Sequence, residues 1–292
     1  MSHVLTLVAD RTATTLSAAV IARVRAAVQG GAPDILSPGE AADIPCPAAL
    51  DMARVEAALE GAPIDAIATK ARGRRKGLLV ADMDSTIVTS ETLDELAGYA
   101  GLKEKIAAIT KRSMNGEIDF SEALRLRVSM LQGLGLDALE KTWARTRLTP
   151  GARELVATMR GHNATTALVS GGFSYFTGRV AELLGFHVHR ANVLLDDGAR
   201  LTGEVGEPIL DRDAKLATLR ELAAARNLKL AATLAVGDGA NDLAMIQEAG
   251  LGVAFHAKPI VATAARARVD HGNLRALLFA QGYRLSEIVS GG

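Results

Sequence analysis

The chain has 292 residues, enough to bury a substantial core as one large domain with an insertion or as two domains. Its 33 Lys and Arg residues balance 33 Asp and Glu residues, so its charge gives no reason to expect nucleic acid or an anionic membrane as a partner. The single cysteine, Cys46, excludes an internal disulfide, and no clustered thiols or histidines indicate a zinc site. Since the sequence has neither a basic leader nor about 20 consecutive apolar residues, we expect a soluble, cytoplasmic protein.

Residues 1–72 are predicted to form a small α+β domain. Extended apolar runs alternate there with two helical patterns, "SAAVIARVRAAVQ" and "ALDMARVEAALEG". This βαβ-like order resembles a shortened ACT-type regulatory module, although it carries no specific motif of that family. The basic segment "ARGRRKG" is interpreted as a solvated linker to the rest of the chain. Homodimerisation through the N-terminal domain is a hypothesis.

Residues 73–292 show short apolar runs alternating with helical patterns, which predicts a Rossmann-like α/β domain around a mainly parallel sheet. Between the first two strands, residues 88–148 have helical periodicity and are predicted to form an inserted helical cap. Asp197 and Gly198 stand between two extended runs and predict a β-hairpin. The predicted core strands, which lack polar alternation as buried parallel strands do, are residues 77–81, 165–170, 232–237 and 251–255.

Polar segments follow three of these strands at the point where each strand ends: "DMDST", "SGG" and "GDGAND". In an open α/β sheet, ligands bind outside the carboxyl ends of the strands. We therefore expect the three segments to meet at one site.

Asp82 and Asp84 are two positions apart, so in an extended segment their side chains point the same way. Two carboxylates at such a short distance repel each other unless a cation or a shared proton lies between them. Asp238 and Asp242 bring further carboxylates to a second strand end, and Mg²⁺ prefers such hard oxygen ligands. Taken alone, the first pair fits a turn or a helix start equally well.

Ser170 offers a hydroxyl group, and Gly171 and Gly172 offer free backbone amides before a helix, an arrangement suited to phosphate. A simple tight turn is the alternative for these three residues. Lys215 lies in the first turn of a helical pattern that begins near Asp213, where the helix dipole disfavours a cation. A bound anion explains this position, and so does an exposed lysine paired with a nearby aspartate.

The segments "DMDST", "SGG" and "GDGAND", together with Lys215, occur in the order and context of the four motifs of the haloacid dehalogenase (HAD) superfamily. The chain resembles this superfamily over about residues 75–290. Within it, "DMDSTIVTSETLDELA", "GEIDFSEALRLRV" and "LVSGGF" are similar to the phosphoserine phosphatase family. The resemblance implies a Mg²⁺-dependent phosphatase that converts O-phospho-serine to serine and phosphate, the last step of serine biosynthesis.

The same resemblance implies that Asp82 is the nucleophile that forms an aspartyl phosphate, and that Asp84 is the general acid and base. Ser170 and Lys215 then bind the phosphoryl group and take part in catalysis. The remaining phosphate contacts that it implies are Gly171, Gly172 and Asn241.

The resemblance also implies how Mg²⁺ is held. Its ligands are Asp82, the backbone carbonyl of Asp84, and Asp238. Asp242 supports Lys215 and the metal ligands without being assigned to the ion itself.

O-phospho-serine carries a carboxylate and an ammonium group beside its phosphate, so a selective pocket needs a cation and an anion. Phe120, Leu124 and Arg127 share one helix face, and a guanidinium there can grip a carboxylate with two hydrogen bonds. The resemblance assigns the carboxylate to Arg127 and the ammonium to Glu91, with Phe120 and Met114 lining the pocket. From the residues alone, a surface arginine, an acidic first helical turn and a core methionine are competing interpretations.

Two other functions remain open at this stage. One is a HAD phosphatase or phosphotransferase that acts on another small phosphate, such as phosphohomoserine. The other is a sensor that binds a phosphoamino acid without turnover, against which the complete set of Asp82, Asp84, Lys215 and Asp238 weighs. Serine feedback through the N-terminal domain is a further hypothesis.

Overall fold

A computed structural model of the chain describes residues 2–114 and 117–291, apart from the side chain of Met114. Its centre is a sheet of six parallel strands. In spatial order these are β12 (Ala267–Val269), β11 (Leu251–Phe255), β10 (Thr233–Gly237), β5 (Leu78–Ala81), β6 (Thr165–Phe173) and β7 (Val188–Asn192). The four core strands expected from the sequence are all present, and β7 and β12 extend the sheet at its two edges.

Strand β5 shows why these sequences lack polar alternation. Leu79 and Ala81 belong to the apolar cluster on one face of the sheet, whereas Leu78 and Val80 belong to the cluster on the other face. Both faces are therefore buried, as in other parallel sheets. The helices that accompany the sheet strands are α7 (Ala152–Gly161), α8 (Ser174–Leu184), α9 (Arg212–Ala225), α10 (Leu243–Glu248), α11 (Pro259–Ala264) and α12 (Ala276–Ala280).

The segment between β5 and β6 is helical, as the periodicity predicts. Its helices are α3 (Thr92–Tyr99), α4 (Lys103–Met114), α5 (Phe120–Ser129) and α6 (Asp137–Arg145). The predicted hairpin is also present as β8 (Leu194–Asp196) and β9 (Leu201–Val205), and its β9 strand packs against α5. In the described part of the chain, no helix is long and apolar enough to cross a membrane.

The N-terminal residues form a separate antiparallel sheet with the strand order β2-β3-β1-β4. Its elements are β1 (His3–Ala9), α1 (Ala18–Ala27), β2 (Asp34–Ser37), β3 (Ala41–Cys46), α2 (Met52–Leu59) and β4 (Ile64–Lys70). The two helices share an apolar cluster with the sheet, which buries Ile21 and Val55. The expected fold class, an α/β core with a helical cap and a small N-terminal α+β unit, is therefore confirmed.

The small sheet packs directly against the large domain. Val8, Leu36 and Ile67 belong to the same apolar cluster as the core of the large domain. At this junction the buried carboxylate of Asp65 accepts the backbone N–H groups of residues 270–272 at 2.6 to 3.1 Å. The division of the chain at residue 72 stays a prediction, and so does homodimerisation.

Candidate active site

The topology brings three of the sequence motifs to one edge of the sheet. Strand β5 lies between β10 and β6, so Asp82, Asp238 and Ser170 occupy neighbouring strand ends. They border a cleft of about 660 Å³ between the sheet and the cap helices. The cleft is lined by most of the residues expected at the site, namely Asp82, Asp84, Glu91, Phe120, Arg127, Ser170, Gly171, Gly172, Asp238 and Asn241.

Three buried carboxylates form a cluster at the floor of this cleft. Oxygen atoms of Asp82, Asp238 and Asp242 all lie within 4.8 Å of one another. The ammonium group of Lys215 contacts two of them, with Nζ 2.8 Å from Oδ1 of Asp82 and 2.5 Å from Oδ1 of Asp242. Because the Lys215 side chain is only 1% exposed, its charge is directed into the cluster.

Asp242 supports the cluster through both of its oxygen atoms. Oδ1 accepts a hydrogen bond from Lys215, and Oδ2 accepts the backbone N–H of Gly239 at 3.0 Å. A Cβ atom on Gly237 would overlap the carboxylate of Asp242, so this strand end needs a glycine for the close approach. Asp242 is thus already bound by protein groups, and its supporting role stays a prediction.

The charges in the cluster are poorly balanced by the protein alone. Burial raises the pKa of Asp82 well above its ordinary value, and the charges of Asp242 and Asp238 add to the rise, although Lys215 opposes it. Burial and the charge of Asp242 raise the pKa of Asp238 to about 6. Burial by itself disfavours the charged form of Lys215, but the carboxylates of Asp242 and Asp82 raise its pKa. Buried oxygen ligands with excess negative charge are suited to a divalent cation.

Asp84 lies beside this cluster and has different partners. Its Oδ1 accepts the backbone N–H of Thr92 at the start of α3, at 2.9 Å, and its Oδ2 accepts the hydroxyl of Ser170 at 3.2 Å. Burial and the nearby charge of Glu91 raise the pKa of Asp84 to about 7. The chain turns after Asp84 through Ser85, which has a left-handed φ of 54°, an uncommon conformation for a residue other than glycine.

The "SGG" segment packs tightly around Asp84. The hydroxyl oxygen of Ser170 accepts the backbone N–H of Gly172 at 2.9 Å. A Cβ atom on Gly172 would lie 2.8 Å from Oδ2 of Asp84, and one on Gly171 would lie 3.1 Å from Cζ of Phe120. Side chains at these two positions would therefore displace the acid or the aromatic ring, so the glycines are needed for packing. The N–H of Gly172 was expected to be free, but it donates to Ser170.

The cap contributes a cation and an anion to the other end of the cleft. The guanidinium of Arg127 donates from Nε to the carbonyl of Ala123 and from Nη1 to the hydroxyl of Thr110, both at 3.1 Å. Glu91 precedes α3, is exposed, and accepts the hydroxyl of Ser85 at 2.6 Å. Burial lowers the pKa of Arg127, although the charges of Asp94 and Glu91 oppose this. The prediction for Met114 lies outside the described residues, since its side chain is not among them.

Comparison with known proteins decides which family the chain belongs to. The model of the haloacid dehalogenase-like hydrolase family matches residues 79–247, more than half of the chain. The chain belongs to this family. The matched residues span the carboxylate cluster and the "SGG" segment, so the motifs recognised in the sequence are those of a haloacid dehalogenase-like hydrolase.

The haloacid dehalogenase-like hydrolases that it resembles include phosphoserine phosphatases. It is 41% identical over 233 residues to the phosphoserine phosphatase of Streptomyces coelicolor. The matched region covers 80% of this chain but only 57% of that relative. It is 45% identical over 199 residues to the phosphoserine phosphatase of Streptococcus thermophilus. That matched region covers 68% of this chain and 93% of the relative. A solved phospho-aspartyl intermediate analogue of phosphoserine phosphatase superimposes with a TM-score of 0.66 at 39% identity, covering 70% of this chain and 98% of that one.

Several residues of this haloacid dehalogenase-like site were not expected from the sequence. Thr110 contacts Arg127 from a different helix, and Thr86 donates to Oδ1 of Asp238 at 3.4 Å. Thr110 carries no signal in the sequence, because its contact joins two separate helices, whereas Thr86 lies within the "DMDST" segment. Asn192 holds the carbonyl of Gly171. It ends the strand "VHRAN", so attention to polar residues at strand ends could have found it.

Proposed function

We propose that the protein is a Mg²⁺-dependent phosphatase that hydrolyses O-phospho-serine to serine and phosphate through an aspartyl phosphate. The observation that carries the proposal is the contact of Lys215 with Asp82 at the floor of a cleft that Arg127 and Glu91 also line. The cleft thus combines a buried carboxylate held by a cation with groups suited to an amino acid. The similarity to phosphoserine phosphatases supports the same substrate.

Asp82 is the nucleophile in this proposal. Its carboxylate oxygen attacks phosphorus, forming an O–P bond while the bond between phosphorus and the serine oxygen breaks. Lys215 contacts Oδ1 of Asp82 and holds that carboxylate in place. The similarity to a solved phospho-aspartyl analogue supports this route.

Asp84 is the proton carrier in both steps. A pKa of about 7 leaves a fraction of this carboxyl protonated near neutral pH, so it can donate a proton to the departing serine oxygen. In the second step a water molecule attacks phosphorus, Asp84 accepts the proton of that water, and Asp82 is released from the phosphoryl group. The hydrogen bonds from Thr92 and Ser170 fix the position of this carboxyl group.

The phosphoryl oxygens are proposed to bind Ser170, Lys215 and the amides of Gly171 and Gly172. The N–H of Gly172 donates to Ser170 in this structure, so it would exchange that hydrogen bond for one to the phosphate. Positive charge and N–H groups placed around these oxygens stabilise the transition state of phosphoryl transfer. Asn241 lines the same end of the cleft and adds an amide donor.

The oxygen ligands for Mg²⁺ are proposed to come from Asp82, Asp238 and the backbone carbonyl of Asp84. The cluster fits such an ion, since burial and mutual repulsion raise the pKa values of Asp82 and Asp238 when only protein cations are nearby. When bound, the ion neutralises negative charge on the carboxylates and on the phosphate oxygens.

Substrate selection is proposed to lie in the cap. Among the described residues, Ala123 and Thr110 accept two of the N–H groups of Arg127, and the remaining N–H groups of the guanidinium are proposed to bind the substrate carboxylate. Glu91 is proposed to bind the ammonium group, and Phe120 to cover the reacting end near Gly171. Release of serine by this reaction corresponds to the last step of serine biosynthesis.

The experiment that tests the function measures phosphate release from a panel of phosphorylated metabolites, with Mg²⁺ and with EDTA. We expect O-phospho-serine to be the best substrate and EDTA to abolish turnover. Asp82→Asn keeps the shape of the nucleophile and should abolish turnover without unfolding the protein. Faster turnover of phosphohomoserine than of O-phospho-serine would identify phosphohomoserine as the substrate. Tight binding without turnover by the wild-type protein would identify a sensor.

A further inference from the structure

Asn192 occupies the last position of β7 and is only 2% exposed. Its Nδ2 donates to the carbonyl of Gly171 at 2.9 Å and to the carbonyl of Leu210 at 3.2 Å. Its Oδ1 accepts the backbone N–H of Leu210 at 2.7 Å. One buried amide thereby uses both of its donors and its acceptor on two different loops.

The first of these loops is the "SGG" segment at the end of β6. Val169 pairs with Arg190, but the next pair is Phe173 with Asn192, so residues 170–172 lie opposite a single residue of β7. In such a bulge the extra residues leave the regular ladder. The side chain of Asn192 supplies a hydrogen-bond donor for the carbonyl of Gly171 at this irregular point.

The second loop leads into the helix that carries Lys215. Leu210 directly precedes Asp211, whose carboxylate caps α9 by accepting the N–H groups of Asp213 and Ala214. Lys215 follows within the first four residues of this helix. Both hydrogen bonds between Asn192 and Leu210 therefore fix the chain where α9 begins.

We propose that Asn192 is a positioning residue for phosphoryl binding. It holds the "SGG" loop and the start of α9 at a fixed separation, so that Ser170 and Lys215 address one phosphoryl group. Displacements of about 1 Å at such sites cost on the order of 100-fold in rate, so a buried link between the two loops has a large effect. This inference rests on the proposed phosphatase function.

The test compares Asn192→Leu and Asn192→Ser with the wild-type protein in the presence of Mg²⁺. The measurements are the Kd of inorganic phosphate by titration calorimetry, kcat and KM for O-phospho-serine, and the thermal unfolding midpoint. We expect the Kd of phosphate to rise about 10-fold or more in both variants, with a fall in kcat/KM. Asn192→Ser is the smaller and milder change if Asn192→Leu does not fold.

Thr166→Val is the matched control. Thr166 is fully buried on β6, the strand that ends in "SGG". Its hydroxyl bonds with His187 at the opposite end of the β6 and β7 pair, 3.1 Å away. The control loses a comparable buried hydrogen bond without touching either loop. We expect it to lower the unfolding midpoint while leaving the Kd of phosphate unchanged.

Three results would overturn the proposal. They are a phosphate Kd in folded Asn192 variants within about two-fold of wild type, an equal rise in Thr166→Val, and failure of both Asn192 variants to fold while the control folds. The last result would assign Asn192 to the fold alone. Since phosphate binding is measured directly, a wild-type protein without turnover would contradict the proposed function while the Kd comparison still decides the role of Asn192.

Discussion

Nζ of Lys215 lies 2.8 Å from Oδ1 of Asp82, and the two side chains are only 1% and 8% exposed. The same Nζ lies 2.5 Å from Oδ1 of Asp242, so the ammonium group is held between a nucleophile candidate and a fixed support. A lysine in this position cannot turn towards solvent without leaving two buried carboxylates unpaired, which is strongly unfavourable. The pair therefore keeps a positive charge beside the carboxylate of Asp82.

Lys215→Met should lower kcat for O-phospho-serine by about 100- to 1,000-fold, because one charged group at the transferred phosphoryl is lost. Steady-state kinetics measure this, with circular dichroism to check folding. The matched control is Lys229→Met, since Lys229 is exposed and does not line the cleft. Comparable kcat values in the two variants would contradict the role of Lys215.

Gly172→Ala should lower kcat by about 100-fold, because the added Cβ would lie 2.8 Å from Oδ2 of Asp84 and displace the proton carrier. Gly98→Ala is the control, since a Cβ there meets no atom within 4 Å. Gly98 lies inside α3, so the control should raise the free energy of unfolding by about 0.5 to 1 kcal/mol and leave kcat unchanged. Full activity in Gly172→Ala would show that Asp84 tolerates displacement.

Arg127→Ala should raise KM for O-phospho-serine far more than KM for p-nitrophenyl phosphate, which has no carboxylate. Thr110→Val should have a smaller effect in the same direction, because it removes the acceptor that holds Nη1 of Arg127. Thr110→Ser keeps a hydroxyl and should restore the wild-type ratio of the two KM values. Equal losses on both substrates would exclude carboxylate recognition by Arg127.

Without metal, the carboxylates of the site should make stability fall as pH rises. Their pKa values in the folded protein, about 6 for Asp238 and about 7 for Asp84, exceed the ordinary value of 3.8. The folded state therefore binds more protons than the unfolded state above about pH 4, and this stabilisation is lost as pH rises through 6 to 7. Unfolding midpoints measured in EDTA should show Asp238→Asn gaining stability relative to wild type between about pH 4 and about pH 6.

Addition of Mg²⁺ should reverse this difference near neutral pH, since the ion favours ionised Asp238 and binds the variant weakly. The comparison of wild type with Asp238→Asn cancels the titration of groups elsewhere in the chain. A constant difference between their midpoints from about pH 5 to pH 7.5 in EDTA would contradict the raised pKa of Asp238.

Asp65→Ala should lower the free energy of unfolding by about 2 to 4 kcal/mol, because three backbone N–H groups at the junction lose their acceptor. Glu56→Ala is a control at the same junction. It removes an ion pair with Arg268 in which both side chains are about half exposed, and should cost less than about 1 kcal/mol. Chemical denaturation measures both, and equal effects would show that the buried contacts do not stabilise the junction.

The sequence alone was sufficient for the fold class and for the strand ends that form the site. Apolar runs without alternation indicate buried parallel strands, and the carboxyl ends of such strands meet at one edge whatever the loops between them do. Asp82, Ser170 and Asp238 could therefore be expected together before any contact was known. The order of their motifs also identified the family.

Only the tertiary structure decided which atoms meet. Spacing suggested that Asp82 and Asp84 share one volume, but the left-handed turn at Ser85 leaves Asp84 bonded to the start of α3 and to Ser170, beside the carboxylate cluster. The contact of Thr110 with Arg127 and the packing of the N-terminal sheet on the core were also absent from sequence reasoning. Periodicity records which face of an element is buried. It does not predict contacts between elements that are distant in the sequence, and those contacts determine the hydrogen bonds and pKa values of this site.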